Sequence, residues 1–156
     1  MVSIKILFFV RIYFVLINFL YWGIINQSIF FIMAQNYNIT ITASTPNVDD
    51  PANSSLTLDD NGNTNADPGD TVTWKIGTGC GVGRISAISQ DPGATDVFSP
   101  DPSPQGNSGN WRGTINPAIA PESFEDYTIT WYTDDNPEKG PYSFDPRITI
   151  NPRQTV

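Results

Sequence analysis

Histidine is absent from this 156-residue chain, and cysteine occurs once, at Cys80. Without an imidazole, a Ser or Cys nucleophile has no His base to take its proton, so that form of covalent catalysis is excluded. A lone cysteine can form no disulfide within the chain and no metal centre built on several thiolates. Basic residues are scarce as well: eight Lys and Arg stand against 16 Asp and Glu, a net charge of −8. Nucleic acid and anionic membrane surfaces are bound through cationic patches that displace counterions, so this balance argues against either partner. Beyond residue 35 no window carries apolar residues at helical spacing over three turns. All 13 prolines lie there too, which excludes long helices.

The first 33 residues differ from the rest. They hold no acid, only Lys5 and Arg11 as cations, and an apolar stretch from Ile12 to Ile25. Lys5 and Arg11 ahead of that stretch, ending near Met33-Ala34-Gln35-Asn36, resemble a secretory signal peptide cut after Ala34 or Gln35. A retained membrane anchor is the second reading, although Asn18, Asn26, Gln27 and Ser28 interrupt the apolar run that spanning requires. Any membrane contact would then run through residues 1–33. A third reading starts translation at Met33 and leaves a cytoplasmic domain. Residues 35–156 read as one domain; from Ala34 onward six cations face all 16 acids, a charge of −10. Such a domain is large enough to bury a core without disulfide staples.

Within it, short segments of period-two alternation are separated by Gly, Pro, Asn and Asp clusters, the pattern of half-buried antiparallel strands. Tyr37 to Ala43, Leu56 to Leu58, Val72 to Ile76, Arg84 to Ile88, Trp111 to Ile115, Tyr127 to Trp131 and Ile148 to Ile150 make about seven. Two stacked sheets are the economical way to bury so many one-sided strands. Ser89 to Asn110 reads as a long loop with a brief strand at Asp96 to Phe98, and its length makes it the first place to seek a partner surface.

Asp59 to Ile76, DDNGNTNADPGDTVTWKI, is the most specific segment. With Asp59 as position 1, side-chain oxygens follow from Asp59, Asn61, Asn63, Asp67 and Asp70, and the Asn65 carbonyl is available between them. A loop that curls can aim such donors at one calcium ion, which takes six to eight oxygens. The competing reading is a solvated loop that uses Asn, Asp and Gly for turn geometry. The same run resembles the opening of Ig-like repeat domains of bacterial surface and secreted proteins, which often read Asp-x-Asn-Gly-Asn-x-x-x-Asp-Pro-Gly-Asp before a Thr/Val strand. More loosely, the Gly69 to Trp74 strand, the long middle loop and the closing strands Tyr127 to Tyr132 and Tyr142 to Asn151 are similar to cupredoxins. Both resemblances imply an all-β Greek-key sandwich. Copper is excluded, since a blue-copper centre needs two imidazoles and a thiolate, usually with an axial thioether, and no methionine follows Met33.

Trp74, Trp111 and Trp131 share the phase of the apolar face of their strands, so core is expected rather than a sugar platform. Tyr132, in the opposite phase, with Tyr142 and Phe144 leaves room for a small aromatic patch. Glu122, Glu125 and Asp126 are candidates for a two-carboxylate glycosidase, in a segment, PESFEDY, that reads as a solvated acidic turn. Cys80 reads as a small residue in the Gly-rich turn Gly77 to Gly83. Asn38 and Asn53 head glycosylation sequons, read as chance matches. The expectation is a non-catalytic exported sandwich acting as a structural, adhesive or binding module toward a protein or glycan. The alternatives are a carbohydrate-binding module or glycan-processing accessory, and a small cytoplasmic domain starting at Met33.

Overall fold

The computed structural model describes residues 33–136 and 138–152. Apart from Met33 and Ala34, the expected hydrophobic leader lies outside the described residues. The described chain is all-β, with a single 3-10 turn at Pro51–Asn53. Ten strands follow in order: β1 Asn36–Thr45, β2 Ser55–Leu58, β3 Asn63–Ala66, β4 Thr71–Ile76, β5 Val82–Gln90, β6 Ser103–Pro104, β7 Trp111–Thr114, β8 Phe124–Thr133, β9 Tyr142–Phe144 and β10 Arg147–Ile150.

They form two five-stranded sheets in a sandwich-like arrangement. The first runs β2-β1-β4-β7-β6 and the second β3-β10-β8-β5, with β9 also on β8. The sheets are mixed rather than wholly antiparallel, because β1 pairs parallel with β4, and β3 pairs parallel with β10. Strands β9 and β10 lie along the same partner in one continuous register, Ile129 opposite Phe144 and Asp126 opposite Arg147. Pro146, which has no N–H to give, marks the break, although its carbonyl still accepts from Tyr127 N at 3.2 Å.

Alternation explains the core. On β8, Glu125, Tyr127, Ile129, Trp131 and Thr133 all point inward, while Phe124, Asp126, Thr128, Thr130 and Tyr132 point out. Ile39 and Ile41 from β1, Val72 and Trp74 from β4, and Ile148 and Ile150 from β10 meet that inward row. Each such side chain contributes about 1.5–3 kcal/mol on burial, so the period of two is itself the main stabilising pattern.

The long segment after β5 is a strap and not a free loop. Val97 and Phe98 are buried in the core, Phe98 bridges to Ile115, and Ser99 N donates to the Thr114 carbonyl at 2.7 Å. Phe98 completes an aromatic cluster with Trp74 and Tyr127, with ring centroids 5.6–6.5 Å apart. The surface expected along Ser89 to Asn110 is thus partly core.

Candidate functional site

The six donors of the expected calcium loop are not brought to one centre. Strand β3 runs through the middle of the segment, with Asn63 and Asn65 facing solvent and Thr64 and Ala66 facing inward. Extended backbone replaces the curl that convergence requires. At one end Asp59 reads β1: its Oδ1 accepts from Thr40 N at 2.8 Å, and its own N donates to the Thr40 carbonyl at 3.0 Å. The neighbouring Asp60 closes the turn by accepting from Gly62 N at 2.9 Å and from the Thr64 hydroxyl, while Asn61 and Gly62 adopt positive φ. At the other end Asp70 accepts from Gln35 N, five residues before Thr40 on the same chain segment. Five extended residues span roughly 16 Å, far beyond a shared coordination sphere. Among the described residues no three acidic or cysteine side chains are grouped to hold a metal.

What the Asp67–Asp70 end builds is a polar knot. Asp70 is fully buried; its Oδ1 accepts from Gln35 N at 2.6 Å and its Oδ2 from Asp67 N at 2.7 Å. Its carbonyl accepts from Ile115 N at 2.8 Å. Asp67 in turn accepts from the Asn151 amide at 3.0 Å. Four separate parts of the chain therefore meet at one turn.

The second buried carboxylate is Glu125, 3% exposed. The expected solvated turn is corrected here: Glu125 belongs to β8 and takes the inward phase. Its Oε2 accepts from Val97 N at 2.6 Å, which ties the strap to the second sheet. Burial pushes the carboxyl up to about 7; the Val97 N–H opposes this, and the strap acids Asp96, Asp101 and Asp91 reinforce it. Asp126, next along the strand, points to the opposite face. There Arg147 grips it at 2.6 and 2.9 Å and holds its carboxyl below the usual range. Glu122 sits in an exposed turn at positive φ. A glycosidase needs two carboxyl groups flanking one bond, and neighbours on opposite faces of a strand cannot supply that.

Trp74 and Trp131 have no exposed surface and Trp111 is half-buried, so the tryptophans form core as expected. Trp111 Nε1 donates to the Ile85 carbonyl at 3.3 Å, while Trp131 Nε1 finds no acceptor among the described residues. Tyr142 is also buried, stacked on Trp131 at 4.9 Å. The outward rings are Tyr132, under the Arg84 guanidinium at 4.2 Å, and Phe124, under that of Arg147 at 4.3 Å. Cys80 is a buried free thiol whose carbonyl accepts from the Ser44 hydroxyl at 2.8 Å.

No family model matches the chain, and no curated protein matches it. Among solved structures it is similar to the cysteine protease inhibitor EhICP2 from Entamoeba histolytica, with 7% identity and a TM-score of 0.35, over 78% of this chain and 98% of that one. A likeness that distant carries no functional argument.

Proposed function

We propose that this protein is a non-catalytic exported β-sandwich, a structural, adhesive or binding module at the cell surface or in the medium. The observation that carries the reading is the outward row of β8. Phe124 and Tyr132, each under a guanidinium, lie about 27 Å apart along the strand, with Asp126, Thr128 and Thr130 between them. Such a row offers ring faces, donors and acceptors on a rigid sheet, the frame from which contacts are presented. It carries one carboxylate, already neutralised by Arg147, and so suits recognition better than acid–base chemistry.

The test is binding of the purified chain to envelope material and glycan arrays, beside an Arg84→Ala/Tyr132→Ala/Arg147→Ala variant. The reading expects a surface protein or glycan to bind the parent chain at least tenfold more tightly than the variant. Equal binding by both, or none by the parent chain, rejects it. Glycan recognition is the second reading, favoured by the same two rings, because a sugar ring can take the place of a stacked guanidinium. Localisation of the native protein to the cytoplasm would favour the chain starting at Met33.

A further inference from the structure

Asp70 combines complete burial with hydrogen bonds from two backbone N–H groups, Gln35 and Asp67. Among the described residues the ion pair of Arg147 with Asp126 lies elsewhere, on the outward face of β8. A buried carboxylate without a counter-ion is costly, since neutral donors satisfy its lone pairs but leave the charge unbalanced. Gln35 directly follows Ala34, at the junction where the leader resembles a signal peptide awaiting its cut.

We propose that the chain is processed at the Ala34–Gln35 bond and that the new α-ammonium of Gln35 is the counter-ion of Asp70. A leader peptidase consumes one water in this step: the hydroxyl goes to the Ala34 carbonyl carbon and a proton to the Gln35 nitrogen. That amine takes up a second proton near neutral pH. The nitrogen already lies 2.6 Å from Asp70 Oδ1, so an ammonium formed there needs no rearrangement to make a charge-assisted bond. Thr71 N also donates to the Gln35 carbonyl at 2.8 Å, which ties Gln35 to the start of β4. A cut one bond later would delete the donor, and a start at Met33 would leave it a neutral amide. The site therefore selects one of the two junctions legible in the sequence.

Three other ionisable groups bear on this corner. Tyr37 comes from β1, its hydroxyl pushed up by burial and then by Asp70 and Asp67. Asp67 lies in the turn itself, and Arg112 of β7 reaches the Thr71 hydroxyl at 3.2 Å.

The cut rests on the export reading, whereas the ion pair is tested on the purified product. The full chain with its leader is expressed in a secreting bacterial host, and the exported protein is analysed by intact mass and by NMR titration of its α-amine. The expected product starts at Gln35, with or without loss of ammonia by cyclisation. Its uncyclised amine should titrate clearly above the ordinary value of about 7.7. In Asp70→Asn it should return to that value. Selective acetylation of the amine, which keeps an N–H but removes the charge, should lower the melting temperature at neutral pH by about 5 °C, and this control stands if Asp70→Asn fails to fold. The gap should close by about pH 10, as the raised amine loses its proton. An exported product with another amino terminus overturns the assigned cut. An α-amine at its ordinary value, or an acetylated chain of equal stability, overturns the ion pair. Absence of any exported product overturns the export reading and the cut with it.

Discussion

Trp74 Nε1 donates to the Tyr127 hydroxyl at 3.1 Å, joining β4 of one sheet to β8 of the other through the middle of the core. The rings meet edge to face at 5.6 Å, so apolar contact and a polar bond coincide. Burial holds the Tyr127 hydroxyl far above the usual range, the strongest influence on it. It stays protonated at all physiological pH values.

Tyr127→Phe should therefore leave the ring packing intact and orphan the indole N–H. A buried donor stripped of its acceptor costs about 1–3 kcal/mol, to be read as a fall in the urea midpoint at an unchanged slope. A neutral outcome would mean that the indole finds another acceptor.

Glu125 should make stability depend on pH in the direction opposite to most acids. Its folded pKa of about 7 exceeds the reference 4.5, so its contribution is present in full below about pH 4.5 and is lost as pH rises through 7. The shift corresponds to on the order of 3 kcal/mol. Glu125→Gln keeps an oxygen for Val97 N and should lack the loss between pH 5 and about 8. Denaturation midpoints of both chains across that range check it; parallel profiles would contradict the assignment.

Gly113→Ala tests the seat of the strap. A Cβ there would lie 2.7 Å from the Phe98 ring and 3.1 Å from Pro102, so the strap must shift. Overpacking of this kind costs about 1–3 kcal/mol, and proteolysis within residues 89–110 should accelerate. Unchanged cleavage would show that Phe98 is not held there.

Chelation should leave the melting temperature where it is, since the Asp59 and Asp70 carboxylates bind backbone at points roughly 16 Å apart along the same chain segment. Melting curves with EDTA and with added calcium decide this. A calcium-dependent rise would require the two ends of β3 to rearrange.

Much of the architecture was legible because large apolar residues mark the phase: Val72 with Trp74, and Tyr127 with Ile129 and Trp131, all lie in strands facing the core. Strand β3 escaped notice because Asn63, Thr64, Asn65 and Ala66 include no large apolar residue. What makes them a strand is parallel pairing with β10, whose residues lie far along the chain, and such long-range register leaves no local trace. The calcium reading arose for the same reason, since alternate donor spacing suits a curling loop and a strand equally, and here it falls on a strand. Glu125 did leave a signal: it stands two residues before Tyr127, in the inward phase. The strap left another, the adjacent Val97 and Phe98 amid Pro, Asp and Ser.

The outer border of β5 has a further consequence. Nine residues long and paired only with β8 among the described strands, it would offer a second copy a place to add itself. Two register shifts, between Val82 and Arg84 and between Ile85 and Ala87, interrupt it, and the Trp111 indole occupies the Ile85 carbonyl. Irregular borders of this kind resist edge-to-edge growth, so concentrated solutions of the folded protein should remain free of fibres.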